Sequence, residues 1–165
     1  MPIKGHIHKY GNDVNTDVIF PGRYLNITDP DEMAKHAMED LDPGFIKKVK
    51  QGDIIIAGKN FGCGSSREQA ATCLLKAGIS CIIAESFSRI FYRNTINKGL
   101  PIVIAPKITQ YFEDGDEAQV DFESGNIKNL RTGQEIQGTP IPPFVLQIVR
   151  DGGLISHLKK KLSGG

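Results

Sequence analysis

Asp53-Ile54-Ile55-Ile56-Ala57, a segment over 67–77 carrying Ala70, Ala71, Leu74, Leu75 and Ala77, and then Ile79-Ser80-Cys81-Ile82-Ile83-Ala84 form the stretch that decides the fold. The two isoleucine-rich runs have strand length and are almost wholly apolar, the pattern of strands covered on both faces. The segment between them repeats its apolar residues at helical spacing. Gly78 closes it, glycine being the residue that ends helices in the left-handed conformation. A second helix is predicted over 86–98, closed by Gly99, and a third strand over 100–105. The order β-α-β-α-β predicts a parallel sheet with right-handed crossovers.

Upstream, Ile3-Lys4-Gly5-His6-Ile7-His8-Lys9 alternates apolar and polar residues, as a half-buried strand does. His6 and His8 then share a face. With no third ligand nearby, they read as a solvated face rather than a metal pair. Asp29-Pro30-Asp31-Glu32 carries an N-cap, a proline at the first helical position and a capping-box glutamate, predicting a helix to about residue 40. Asp42-Pro43 repeats the device for a short helix ending near Gly52. Residues 13–28 show little periodicity and are too apolar for disorder, which predicts a functional loop. Downstream, short alternating strands are expected over 118–122, 127–131 and 144–149, joined by glycine-containing turns, and a basic helix over 151–162. The expected architecture is α/β, one domain over residues 1–165, with a central parallel sheet and an added antiparallel sheet.

With 20 basic and 19 acidic side chains the net charge is +1, so nothing electrostatic points to a nucleic acid or an anionic membrane. Apolar runs such as residues 54–57 are far too short to span a bilayer, and residues 1–15 lack the apolar core of a signal peptide. A cytoplasmic location is expected. Cys63, Cys73 and Cys81 are odd in number and spaced like no zinc or cluster motif, so neither a disulfide framework nor a metal site is expected in this chain. Cys73 and Cys81 read as core residues, and Cys63 as a small residue in a turn.

That turn carries the chemistry. Gly58-Lys59-Asn60-Phe61-Gly62-Cys63-Gly64-Ser65-Ser66-Arg67-Glu68-Gln69 joins a buried strand to a helix N-terminus. Glycines here let backbone N–H groups gather at the positive end of the helix, and Arg67 adds a planar fork suited to a carboxylate. A phosphate loop does not fit, because no Gly-Lys-Ser/Thr follows. Two readings stay open: anion binding, and plain capping, since both Ser65-x-x-Glu68 and Ser66-x-x-Gln69 have capping-box spacing.

Residues 60–68 of this turn resemble the glycine–serine–serine–arginine–glutamate motif of the small swivelling domain of the aconitase superfamily. Asn15-Thr16-Asp17-Val18-Ile19 with Pro21-x-x-Tyr24-Leu25 is similar to the first block of its free-standing form, and Ser86-Phe87-Ser88-Arg89-Ile90-Phe91-x-Arg93-Asn94 with Gly99-Leu100-Pro101 to the third. That form is the small subunit of 3-isopropylmalate dehydratases and prokaryotic homoaconitases. The resemblance covers essentially the whole chain. It implies a three-layer β/β/α fold and a hydro-lyase that isomerises hydroxy acids by removing and re-adding water. It further implies a large subunit holding a 4Fe-4S cluster, in a heterodimer or heterotetramer active only when assembled. By position, Ser65 becomes the base that takes a proton from carbon, Ser66 and Arg67 hold a substrate carboxylate, and Asp17 lies in the catalytic pocket. No histidine lies near Ser65 in the sequence, and a distant one stays open. Relatives often carry histidine where Gln69 stands; glutamine could not exchange a proton there.

The resemblance also makes Tyr24, Leu25, Asn26 and Ile27 the loop that reads the far side of the substrate. Homoaconitase-type loops place an arginine where Asn26 stands. Burying a carboxylate there without a charged partner costs about 2–5 kcal/mol. A branched alkyl group instead gains about 1.5–3 kcal/mol on burial. The loop therefore favours an isopropyl-like group and leucine biosynthesis. A homoaconitase, a methyl-substituted malate hydro-lyase and a non-catalytic carboxylate-binding module are the alternatives. Arg23 is either a substitute cation or a surface residue.

Overall fold

The structure, a computed structural model, describes residues 2–163. Its strands are β1 (Ile3–Lys9), β2 (Ile54–Ala57), β3 (Cys81–Ala84), β4 (Ile102–Ile104), β5 (Glu117–Val120), β6 (Asn126–Asn129) and β7 (Glu135–Gln137). The helices are α1 (Thr16–Ile19), α2 (Pro30–Ala34), α3 (Phe45–Lys48), α4 (Glu68–Ala77), α5 (Arg89–Lys98), α6 (Pro143–Arg150) and α7 (Leu154–Ser163). The strands form one seven-stranded sheet in the order β4-β3-β2-β1-β5-β6-β7. The first four are parallel and the last three antiparallel. β1 serves both halves: Ile7, His8 and Lys9 pair with β2, whereas Ile3 to His6 pair with β5.

Residue parity then sets three layers. Ile55, Ala57, Ile82, Ala84 and Ile102 join Ala70, Leu74, Phe91 and Ile96 of α4 and α5 in one core. Ile54, Ile56, Cys81, Ile83 and Val103 face the opposite way, against Ala118, Val120, Ile127 and Ile136 of the antiparallel half. The isoleucine runs are apolar throughout because both of their faces are covered. The crossover helices α4 and α5 share one face because β2, β3 and β4 are laid down as consecutive neighbours, so both crossovers run the same way. Gly78 and Gly99 end α4 and α5 in the left-handed conformation, as predicted.

Four expectations are corrected. Residues 144–149 lie in helix α6: Pro142 and Pro143 start it, and Leu146 and Ile148 turn inward. The third antiparallel strand is β7 instead. The helix begun at Asp29 is capped as predicted, its carboxylate accepting from Asp31 N–H, but it ends at Ala34. Met38 beyond it is left-handed and donates its N–H to Ile19, a tertiary bond that draws the chain away from the helical path. Asp42 caps nothing with its side chain; it accepts from Tyr10 Oη at 2.8 Å and pairs with Lys48 at 2.9 Å. His8 is not solvated: it is buried, with Nε2 2.7 Å from the equally buried Asp53 carboxylate. Cys73 and Cys81 are core residues as expected. No helix among the described residues is long and apolar enough to cross a membrane.

Candidate active site

The glycine turn leaves the carboxyl end of β2, the edge at which open parallel sheets offer binding sites. It is held from two sides. The chain entering α1 runs alongside it: Gly62 N–H donates to Val14 C=O, Thr16 N–H to Cys63 C=O, and Thr16 Oγ1 to the Ser65 carbonyl at 2.8 Å. From the carboxyl end of β3, Ser88 Oγ donates to the Gly62 carbonyl at 2.8 Å and accepts from Phe91 N–H, starting α5. The rings of Phe61, Phe87 and Phe91 pack together beneath. Gly62 has φ +81° and sits so close to Phe91 that a Cβ would run into its side chain; no other residue fits.

This scaffold places the predicted residues as follows. Ser65 and Ser66 are exposed, and neither hydroxyl has a hydrogen-bond partner among the described residues. Arg67 is the N-cap of α4, and no side chain caps that helix. The capping boxes suggested by the spacing therefore do not form; Ala70 N–H donates to Arg67 C=O at 3.1 Å, while the N–H groups of Glu68 and Gln69 have no side-chain partner among the described residues. Arg67 is largely buried, with its guanidinium held by two partners: Nη1 donates to Phe20 C=O at 2.9 Å, and Nη2 lies 3.0 Å from Asp17 Oδ1. A guanidinium has five N–H donors, so this leaves some free for a ligand. Gly22 lies against Arg67: a Cβ there would be 3.4 Å from Nη2. Asp17, Ser65, Ser66 and Arg67 are thus brought together.

The loop that follows is also in place. Tyr24 is half-buried, Leu25 and Asn26 are exposed, and Ile27 packs on the helix-side core. Arg23 is not a spare cation, because its guanidinium pairs with Asp40 at 2.7 Å and Glu39 at 3.0 Å. Gln69 makes no side-chain hydrogen bond among the described residues and shows no role. Among the described residues no histidine bonds to Ser65: His8 pairs with Asp53, His36 lies against Tyr24, His157 pairs with Asp151, and His6 stands on β1 opposite Glu117. Thr16 and Ser88, whose hydroxyls fix the turn, were not singled out by the sequence reading. Only Ser88 had a local signal, as a serine just ahead of a helical run.

The donor chemistry does not fit a cluster. Burial pushes the Cys73 and Cys81 thiols well up, and burial with Asp13 beside it raises Cys63. Among the described residues no three His, Cys, Asp or Glu side chains are placed to hold a metal ion.

The arrangement defines a class: an α/β domain that gathers an uncapped helix start, two uncommitted serines and an oriented arginine at the carboxyl edge of its parallel sheet. Residues 8–107 match the aconitase C-terminal domain, and the chain belongs to that family. It is 53% identical to the 3-isopropylmalate dehydratase small subunit of Ruminiclostridium cellulolyticum, over 99% of this chain and all of that one. It is 55% identical to the isopropylmalate/citramalate isomerase small subunit of Methanocaldococcus jannaschii, over 98% of this chain and 96% of that one. Among solved structures, a crystal structure of a 3-isopropylmalate dehydratase (LeuD) from the same archaeon superposes with a TM-score of 0.94 at 47% identity, covering 99% of this chain and 96% of that one.

Proposed function

We propose that this chain is the small subunit of an isopropylmalate hydro-lyase, interconverting 2- and 3-isopropylmalate by dehydration and rehydration in leucine biosynthesis. The observation that carries the reading is the pair of free serine hydroxyls beside an Arg67 guanidinium already oriented by Asp17 and Phe20. Arg67 and Ser66 bind a substrate carboxylate at the open end of α4, where the helix field favours negative charge. Ser65 takes the proton from carbon on the dehydration stroke and returns it on rehydration. A serine hydroxyl is a very weak acid, so this role needs its oxyanion stabilised in advance. The N–H groups of Glu68 and Gln69, which no side chain caps, supply that field from within this chain.

The exposure of Ser65 and Ser66 supports a site completed by a large subunit, which excludes water and assists departure of the hydroxyl. The 4Fe-4S cluster belongs to that partner in this reading, since the cysteines here do not suit one. Free cysteines support a cytoplasmic location. Citramalate is a second substrate candidate, favoured by the name of the archaeal relative. The test is reconstitution with a cluster-bearing large subunit and assay on isopropylmalate, citramalate and homocitrate. Turnover of isopropylmalate or citramalate by the pair, and by neither chain alone, is the expected result. Preference for homocitrate overturns the assignment.

A further inference from the structure

The Tyr24 ring is gripped on three sides by side chains that take no part in the chemistry above. His36 stacks on it nearly parallel, with centroids 3.7 Å apart and 15° between planes. The Arg23 guanidinium lies 4.8 Å from its centroid, tied in turn to Glu39 and Asp40. Glu39 is also held below the ordinary carboxylate range, chiefly by the Tyr24 hydroxyl beside it and then by His36 and Arg23, against a desolvation cost. One further detail is informative. His36 Nδ1 is buried and has no hydrogen-bond partner, the nearest carboxylate oxygen of Glu39 being 3.5 Å away. A buried polar atom left unpaired is destabilising. The ring therefore contributes mainly its flat face, with only a long contact from its nitrogen to Glu39.

We propose that His36 is a positioning residue for substrate specificity: by stacking on Tyr24, and with Glu39 and Asp40 acting through Arg23, it fixes where Leu25, Asn26 and Ile27 stand. Ile27 is anchored on the helix-side core and its N–H donates to Tyr24 C=O, but the two residues between are not packed. Leu25 and Asn26 are exposed, and the local backbone is a single turn of 3-10 helix over Gly22–Tyr24. A loop that discriminates between alkyl tails must hold its side chains still, since loosening is felt as weaker and less selective binding. This inference rests on the functional reading above and on the family resemblance that assigns residues 24–27 to the far side of the substrate.

The test compares His36→Ala and His36→Phe in the reconstituted two-subunit enzyme. Losing an aromatic pair should raise KM for isopropylmalate roughly 2- to 12-fold while kcat stays near wild type. The ratio of kcat/KM for citramalate over isopropylmalate should rise, because the smaller tail depends less on the loop. His36→Phe should restore both, since it keeps the stack on Tyr24. Limited trypsin digestion of the full chain gives a readout apart from activity: cleavage after Arg23 should accelerate in His36→Ala and return to the wild-type rate in His36→Phe. Unchanged KM and substrate ratio in His36→Ala, or no rescue by phenylalanine, overturns the proposal. If wild type turns over none of these acids, the functional reading fails; the clamp is then judged on cleavage after Arg23, and an unaltered rate overturns it.

Discussion

The Asp17 carboxylate and the Arg67 guanidinium meet at 3.0 Å, joining the first turn of α1 to the N-cap of α4. Asp17 is more than half exposed, so the pair adds little to stability. Its effect is orientation. With Phe20 C=O holding Nη1 at 2.9 Å, the plane of the guanidinium is set before any ligand arrives. Pre-set donors bind a carboxylate without the entropy loss of ordering a free side chain.

Arg67→Lys in the assembled enzyme should therefore weaken substrate binding by at least about tenfold, because an ammonium cannot reproduce a planar two-point contact. Asp17→Asn should act in the same direction and less strongly, leaving the melting temperature nearly unchanged. Steady-state KM alongside a thermal melt checks both. A wild-type KM in Arg67→Lys removes the guanidinium from the carboxylate site.

Ser65→Ala should lower kcat by roughly 10²- to 10⁴-fold, the span typical of a lost proton-transfer group, with KM changed far less. Its side chain makes no hydrogen bond within the fold among the described residues, so the variant should melt like wild type. Near-normal kcat would show that another group takes the proton.

Asn26→Arg should shift preference toward a tricarboxylic substrate. The exposed side chain at this position can carry a guanidinium without displacing core residues. The new charge offers a partner to the tail carboxylate of homocitrate and disfavours an alkyl tail, whose burial would desolvate it. The ratio of kcat/KM for homocitrate over isopropylmalate, measured with the same large subunit, should rise. An unchanged ratio moves tail discrimination to that subunit.

Asp116 governs an acid-sensitive part of the antiparallel half. Its buried carboxylate accepts from Arg131 Nε at 2.6 Å, Asn129 Nδ2 at 3.0 Å and Glu113 N–H at 2.8 Å. Arg131 above all, helped by these N–H donors and opposed by burial, holds Asp116 well below the ordinary carboxylate range. An unfolded aspartate titrates near ~3.9. The stabilisation is therefore fully present above that pH and is lost as pH falls below it toward the folded value. Asp116→Asn should melt lower at pH 7 and show a shallower loss of stability below about pH 4. Melts across an acid series decide it; parallel curves for the two proteins would exclude Asp116 as the source.

The strand–helix–strand core was determined by the sequence alone. Runs such as Ile54-Ile55-Ile56 and Ile82-Ile83 admit one environment, and Gly78 and Gly99 mark helix ends by a backbone geometry that side chains resist. The glycine turn and the residues around Ser65 were legible for the same local reason. Val145-Leu146-Gln147-Ile148-Val149 was not, because so short an apolar run suits a strand or a helix equally; its packing across both cores settled it. Whether Ser65 and Ser66 cap a helix or stay free depended on Val14 and Thr16 pulling the turn into another path. Whether Arg23 was a spare cation depended on Glu39 and Asp40 arriving beside it, and the depth of His8 on its partner Asp53. Each of these was decided by contact between residues distant in the chain, where local propensity carries no information and the free energy of the packed structure makes the choice.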